Sequence, residues 1–324
     1  MPLVSVVMAV RDGEDYLREA VDSILGQTLE DFELVVVDDG STDATGEILA
    51  SYPDDRLRVL TQPRRGVAAS LNTGIRSARA DLIARMDADD ASEPTRLERQ
   101  VAFMLAHADH VLAGTDVHVI SEDGSYLYEA QLVTDDAAIR GCLDQLVAPF
   151  YHGSVMFRRD AVVACGLYDE RIPQQVEDML LWLRLRRLGA MANIPVPLYR
   201  YRLRPGSLSR LPRGLAEAKA RVIRNYAATM TVNPADVQAL TEPTSPASGR
   251  ERRASFELDL GKVYLDQAGD VQRARRHLAR AVALAPMSAR AWFNLGLSLS
   301  PSRLRALRIR KRNHRVHLRA GACR

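Results

Sequence analysis

Short apolar runs alternate with amphipathic runs over the first hundred residues of the chain. Runs of valine, leucine and isoleucine predict buried strands at 3–10, 32–37, 57–60 and 81–86. Apolar residues at helical spacing predict helices at 14–28, 43–51 and 66–78. Pro94 predicts the start of a further helix, because proline is favoured at a first helical position. The alternation predicts an α/β fold, with helices covering a mostly parallel sheet.

The pattern is less regular after residue 110. One or two strands are predicted at 110–120 and another at 152–159. The stretch 174–189 has the spacing of an amphipathic helix that ends at Gly189. The stretch 192–210 predicts extended chain followed by a loop rich in proline, glycine and serine.

A helical region begins near residue 215, and composition predicts a linker at 241–252. The residues that follow carry small and large apolar side chains at a spacing that resembles one and a half tetratricopeptide repeats. One repeat cannot bury its own apolar face, so we expect it to dock on the main domain or on a protein partner. We predict a sheet domain at 1–214, a small all-α region at 215–300 and a basic tail at 301–324.

Charge is distributed unevenly along the chain. Residues 1–270 contain 30 basic and 41 acidic residues, whereas 271–324 contain 14 basic residues and no acidic one. The absence of lysine from the first 218 residues excludes a Walker A loop or a Schiff-base lysine there. Three scattered cysteines argue against a disulfide framework or a structural zinc site. The start of the chain makes a poor signal peptide, so we expect a cytoplasmic protein.

Polar side chains follow three of the predicted strands. Arg11 and Asp12 follow the first strand, Asp38 and Asp39 the second, and the acidic stretch 87–90 the fourth. Open parallel sheets bind ligands beyond the carboxyl ends of their strands. The sequence therefore predicts a ligand site at this edge of the sheet.

The first candidate for chemistry is the pair Asp87 and Asp89, which flank one small residue. Two such carboxylates can face a common hard cation, and both Mg²⁺ and Mn²⁺ suit oxygen ligands. A cation held by few carboxylates usually completes its shell with substrate phosphates. The alternative is an acidic loop that precedes a helix, with Ser92 as the cap.

The second candidate is Asp38–Asp39, where a carboxylate can accept hydrogen bonds from a base N–H and a ribose hydroxyl. The alternative is a turn with a helix cap formed by Ser41 or Asp43. A phosphoacceptor receiver domain also has paired acids at a strand end. It requires a lysine opposite them, and this region contains none.

Two further clusters come later in the chain. Glu177 and Asp178 begin a predicted helix, where acids commonly interact only with the helix dipole. A carboxylate held there and aimed into a cleft could instead act as a general base. Arg202 and Arg204 precede a Gly/Pro loop and could clamp a diphosphate, or could belong to an ordinary basic surface loop.

Four sequence blocks, taken together, closely resemble the family 2 glycosyltransferases. They are SVVMAVRDGEDYLREAVDSILGQTLEDFELVVVDDGSTDAT, GVAASLNTGIRSARADLIARMDADD, HGSVMFRR and EDMLLWLRL, which occur in the order typical of the family over residues 3–210. The resemblance implies an inverting enzyme of the GT-A fold in the predicted domain 1–214. It also implies a nucleotide-diphosphate sugar donor, most often a UDP-sugar.

The resemblance also implies roles for individual residues. Ala9, Val10 and Arg11, together with Asp39, would hold the nucleoside. Asp87 and Asp89 match the DxD motif that binds Mn²⁺ or Mg²⁺ on the diphosphate, with Asp89 the more direct ligand. Asp178 matches the catalytic base of the family's ED motif, with Glu177 beside it at the substrate. His152 and Gly153 match a block near the sugar or acceptor.

Two departures from the family pattern affect these roles. The first strand commonly ends in a Tyr-Asn pair, but here Val10 and Arg11 precede Asp12, so the nucleoside contact can differ. Family members often carry a histidine in the segment matching YRYRLRPGSLS, and this chain has arginines there. That leaves the third protein ligand of the metal open, and it makes Arg202 or Arg204 a candidate diphosphate clamp.

Two other functions were weighed against a glycosyltransferase of bacterial surface polysaccharide or glycoconjugate synthesis. A sugar nucleotidyltransferase normally has a Gly-rich loop and a nearby lysine, which AVRDGEDY lacks. A non-catalytic scaffold would use the helical region to bind a protein partner. The basic tail could be solvated, or could contact anionic lipid at the inner face of the membrane, where a lipid-linked acceptor would lie. Nothing else in the sequence supports a nucleic-acid partner.

Overall fold

The computed structural model describes residues 1–172, 176–204, 213–241 and 249–299. These residues form two compact units. The first unit contains the described residues of 1–118, 129–202 and 208–242. The second contains those of 119–128, 203–207 and 243–324. The domain boundaries that we placed at 214 and 300 remain predictions.

One sheet contains the nine strands found among the described residues. They are β1 (Val4–Val10), β2 (Phe32–Asp38), β3 (Leu57–Thr61), β4 (Leu82–Asp87), β5 (Ala91–Ser92), β6 (His110–Ile120), β7 (Tyr126–Ala130), β8 (Met156–Arg158) and β9 (Ala190–Arg202). The strand order is β3-β2-β1-β4-β8-β6-β9-β5, with β7 paired to β6 outside this order. The first four strands pair in parallel, whereas β8 is antiparallel to β4 and β6. The predicted α/β fold with a mostly parallel sheet is confirmed.

Twelve helices lie within the described residues. They are α1 (Leu17–Leu25), α2 (Thr45–Ala50), α3 (Val67–Ser77), α4 (Arg96–Ala106), α5 (Asp136–Asp144), α6 (Arg159–Ala164), α7 (Glu177–Leu185), α8 (Arg213–Thr229), α9 (Pro234–Thr241), α10 (Gly249–Asp266), α11 (Val271–Leu284) and α12 (Ala289–Leu299). No helix of the described chain combines the length and the hydrophobicity that a membrane span requires.

The burial of the central strands explains their apolar sequences. All seven residues of β2 are buried, as are six of the seven in β1. A strand covered on both faces needs apolar residues at successive positions, not only at alternate ones. Helix α1 is buried on one side only, through Leu17, Ala20, Val21 and Ile24, which gives it the amphipathic spacing.

Three elements differ from the predictions. Helix α4 begins at Arg96 and not at Pro94, with Thr95 in the cap position. The predicted strand at 152–159 begins with a 3₁₀ turn over His152–Ser154, and β8 occupies only Met156–Arg158. Helix α7 is shorter than the predicted span 174–189, because it ends at Leu185.

The second unit contains the helices α10, α11 and α12. Its small core consists of Leu258, Leu278, Ala281, Val282 and Ala291, with Leu295 packed against it. Gly261 faces Leu278 so closely that an added Cβ would lie 2.6 Å from Leu278 Cγ, which explains the small residue there. The resemblance to tetratricopeptide repeats remains a prediction. Residues 242–248 of the predicted linker and the tail 301–324 lie outside the described residues.

Candidate active site

The parallel strands bring the predicted polar clusters to one edge of the sheet. Strand β1 lies between β2 and β4, and its residue Ala9 pairs with both Val37 and Asp87. Val10 pairs with Asp38 one residue later. The carboxyl ends of the three strands are therefore neighbours, as the sequence predicted.

At the end of β2, Asp39 is buried and accepts hydrogen bonds from its own chain. Oδ1 accepts from Gln62 Nε2 and the Arg65 N–H, both at 2.8 Å, and Oδ2 accepts from the Gly66 N–H at 2.7 Å. Burial acts to raise the pKa of Asp39, but these hydrogen bonds outweigh it and lower the pKa. A carboxylate offers about four acceptor positions. Three printed bonds leave room for a further donor, such as a base N–H.

The end of β1 is held to the end of β2 by backbone contacts. The Val10 carbonyl accepts from the Asp39 N–H at 2.9 Å, and Ala9 is half-buried. Arg11 is exposed and forms an ion pair with Asp12 at 3.6 Å. Ala9, Val10 and Arg11 thus lie beside Asp39, although their role in binding a nucleoside remains a prediction.

At the end of β4, three carboxylates crowd together. Asp90 is buried, and it accepts from Tyr199 Oη at 2.8 Å and from the Arg202 N–H at 2.7 Å. The Asp87 N–H in turn donates to Tyr199 Oη at 3.2 Å. Burial and the negative charges of Asp89 and Asp87 raise the pKa of Asp90 well above its ordinary value.

This donor set suits a divalent cation. The mutual repulsion of three neighbouring carboxylates is relieved by a bound positive ion, and carboxylate oxygens are the ligands that Mg²⁺ and Mn²⁺ prefer. In the described part of the chain, no group of three or more His, Cys, Asp or Glu side chains is placed to hold a metal ion. Asp87 and Asp89 therefore fit a cation whose shell is completed by water or by substrate phosphates.

Arg202 lies beside these acids but is largely engaged by the protein. Its side chain is 2% exposed, and Nε donates to the Asp89 carbonyl at 2.8 Å. Its Nη2 pairs with Glu19, and the guanidinium lies 4.8 Å from the centre of the Tyr16 ring. The structure supports a role in holding the 87–90 loop. The diphosphate clamp remains a prediction, as does that of Arg204, which belongs to the second unit.

Arg85 is a site residue that the sequence reasoning missed. It belongs to β4, two residues before Asp87, and its side chain is 6% exposed. Its Nη1 forms an ion pair with Asp87 Oδ2. Burial acts to lower the pKa of Arg85, but the Asp87 charge and nearby tyrosines raise it, so the guanidinium is charged. The available signal was a lone arginine inside an otherwise apolar strand.

His152 and Gly153 lie in the 3₁₀ turn next to β4. His152 Nε2 lies 2.8 Å from Tyr168 Oη, and its Nδ1 lies 4.0 Å from Glu177 Oε1. Burial and the Arg85 charge hold the pKa of His152 well below its ordinary value, which favours a neutral imidazole. A Cβ at Gly153 would lie 2.0 Å from Tyr199 Oη, so the position requires glycine.

Glu177 and Asp178 form the first turn of α7. Asp178 Oδ1 accepts from the Met179 N–H at 2.7 Å. Burial raises the pKa of Asp178, although the Met179 bond and the charges of Lys219 and Arg85 act in the opposite direction. A raised pKa makes a carboxylate a stronger base. Lys219 on α8 was also missed; burial lowers its pKa despite the Asp178 and Glu177 charges.

Comparison with known proteins assigns the chain to a family. The model for "Glycosyl transferase family 2" matches residues 5–166. This chain belongs to glycosyltransferase family 2. The "Putative glycosyltransferase EpsE" of Bacillus subtilis is 35% identical over 207 residues, which cover 62% of this chain and 73% of that protein. The "O-antigen biosynthesis glycosyltransferase WbnJ" of Escherichia coli is 30% identical over 197 residues, covering 57% and 72%.

Solved structures share the fold of this glycosyltransferase. TarS of S. aureus, residues 1–349 in complex with UDP-GlcNAc, has a TM-score of 0.58 and 19% sequence identity. The superposition covers 92% of this chain and 90% of that one. The predicted GT-A fold and family are therefore confirmed. Membership in this family also favours a glycosyltransferase over a sugar nucleotidyltransferase.

Proposed function

We propose that this glycosyltransferase is an inverting, metal-dependent enzyme that transfers a sugar from a nucleotide-diphosphate sugar to an acceptor hydroxyl. The observation that carries the proposal is the placement of Arg85. It contacts Asp87 of the DxD pair, and it lies close enough to Asp178 to shift the pKa of that carboxyl. Candidate diphosphate-binding and base residues thus share one neighbourhood.

The chain's own residues account for the proton transfer. Asp178 takes the proton of the acceptor hydroxyl as that oxygen bonds to the anomeric carbon. The bond from this carbon to the diphosphate oxygen breaks on the opposite face, so the configuration inverts. Asp87 and Asp89 would hold Mn²⁺ or Mg²⁺, which supplies neutralising charge for the departing diphosphate. Glu177, His152 and Gly153 would line the sugar and acceptor side.

The donor is proposed to be a UDP-sugar, bound through Asp39 and residues 9–11. The similarity to TarS, solved with UDP-GlcNAc, supports this choice. The acceptor is proposed to be a glycan or a lipid-linked glycan of surface polysaccharide synthesis, and the similarity to WbnJ supports that class. A peripheral site at an anionic membrane, reached through the tail 301–324, and a protein partner for the helical region remain parts of the proposal.

Purified full-length protein incubated with a panel of nucleotide sugars tests this function. We expect release of the nucleoside diphosphate from one donor, its loss in EDTA and its recovery with Mn²⁺ or Mg²⁺. The anomeric configuration of the product, measured by NMR, should be opposite to that of the donor. Hydrolysis or transfer that EDTA leaves unchanged would contradict the metal, and a retained configuration would contradict the mechanism.

A further inference from the structure

The position of Arg85 in its strand places it beside the DxD pair. Side chains at alternate positions of a strand share one face, so Arg85 and Asp87 point to the same side of β4. The Arg85 N–H donates to the Val155 carbonyl at 2.9 Å, which fixes the backbone from which the side chain leaves. The ion pair with Asp87 therefore joins two groups held on one rigid element.

The hydrogen bonding of the Arg85 guanidinium is incomplete. An arginine offers five N–H donors. The Nε of Arg85 is buried and has no hydrogen-bond partner in the described part of the chain. Burying a charged group without full pairing is costly in free energy. A chain selected only for stability would gain from an apolar residue here, so the charge points to a use in the site.

The charge of Arg85 also reaches the other candidate residues. It contributes to lowering the pKa of His152 and acts against the raised pKa values of Tyr168 and Asp178. These side chains lie on the loop and helix that face β4 from the acceptor side. Arg85 is thus the buried cation that links the DxD pair to the candidate base.

A second buried arginine provides an internal contrast. Arg96 is 0% exposed, and its Nε and Nη1 donate to Gln100 Oε1 and Ser92 Oγ, each at 3.0 Å. Its Nη2 donates to the carbonyl of Arg85 at 2.7 Å. Its contact with Met86 Sδ places it by the face of β4 opposite to Asp87. Neutral protein groups bind all three nitrogens of Arg96, which indicates a structural role.

We propose that Arg85 is a positioning residue for Asp87, which it orients toward the divalent cation and the nucleoside diphosphate. This proposal rests on the proposed function. Partners that orient a ligating carboxylate typically contribute 10-fold to 100-fold to metal affinity. Lysine would keep the charge but lose the planar fork of donors.

Calorimetric titration of Mn²⁺ into the full-length protein with UDP tests the role. We expect Arg85→Met to weaken Mn²⁺ binding about 10-fold to 100-fold, and Arg85→Lys to fall between it and wild type. Arg96→Met is the matched control, since it removes the other buried arginine. We expect it to lower the melting temperature and leave Mn²⁺ affinity unchanged.

Four outcomes decide the matter. Wild-type affinity in Arg85→Met would overturn the role of Arg85, and so would an equal loss of affinity in Arg96→Met. If Arg85→Met does not fold, Arg85→Lys replaces it, and wild-type affinity in that variant overturns the role. Wild-type protein that binds no Mn²⁺ would contradict the metal of the proposed function and the role of Arg85 together.

Discussion

The ends of β2 and β4 carry similar acidic sequences but have opposite electrostatic properties. At the end of β2, Asp38 accepts from the Ser41 N–H and Oγ, and Asp39 is bonded by Gln62 and two backbone N–H groups. The pKa of Asp39 is lowered as a result. At the end of β4, burial and neighbouring acids raise the pKa of Asp90.

The difference shows what two adjacent carboxylates can mean in a strand end. The chain satisfies the acids of β2 internally, so they hold a loop and keep limited capacity for a ligand. The acids of β4 lie in a region of excess negative charge, which favours an external cation. Paired aspartates alone do not distinguish these cases, because the donors come from residues distant in the sequence.

The largest expected effect concerns the chemistry assigned to the β4 side. Asp178→Asn should reduce kcat by about 10²-fold to 10⁴-fold, because the amide cannot accept the acceptor proton. Binding of UDP should be unchanged, and initial rates at saturating donor measure the effect. Near wild-type turnover with intact donor binding would remove Asp178 from the role of base.

A matched control exists for this substitution. Asp160 begins α6 and accepts from the Ala161 N–H at 2.7 Å, as Asp178 does from the Met179 N–H at the start of α7. Asp160→Asn should therefore reproduce any effect on the helix start while leaving kcat unchanged. A similar loss of rate in both variants would indicate a general structural cause.

The next effect concerns the stability of the β2 end. Asp39→Asn should lower the free energy of unfolding by about 1–3 kcal/mol at pH 7, because it leaves buried donors unsatisfied. A carboxyl with a lowered folded-state pKa stabilises above its unfolded pKa, and this contribution is lost as the pH falls through the folded value. Urea unfolding at pH 7 and pH 3 should therefore show a smaller difference from wild type in acid. A difference independent of pH would contradict the assignment.

The smallest effect has the opposite sign with pH. The raised pKa of Asp90 favours folding below the unfolded pKa, and this advantage is lost as the pH rises toward the folded value. Asp90→Asn should thus be as stable as wild type or more stable at pH 7 in EDTA, by about 1 kcal/mol. In acid that relative gain should disappear. A clear destabilisation by Asp90→Asn at pH 7 would show that its hydrogen bonds to Tyr199 and Arg202 dominate its charge.

Periodicity was sufficient to predict the strands and helices of the first hundred residues, because each element there is long enough to show one period. The strand order and the neighbouring strand ends then followed from the rules for parallel sheets. The start of α4 was misplaced, since Pro94 is favoured near a helix start without fixing the first residue. The 3₁₀ turn at His152 was missed because a short apolar run does not reveal its local geometry.

The site was predicted where residues adjacent in sequence carry the signal, as in Asp87 with Asp89 and Glu177 with Asp178. Arg85 was missed because it interrupts an apolar strand, which a pattern-based prediction treats as a single exception. Lys219 lies one residue beyond the lysine-free part of the chain, and only the packing of α8 brings it near Asp178. Long-range contacts of this kind are not visible in the sequence.

The contact between Gly153 and Tyr199 limits how the enzyme can be redesigned. An added Cβ at position 153 would overlap Tyr199 Oη, and that hydroxyl also contacts Asp90 and the Asp87 N–H. A change intended to enlarge or reshape the acceptor side would therefore be transmitted to the diphosphate side. Positions 153 and 199 form one unit of variation, and libraries that alter acceptor preference should randomise them together.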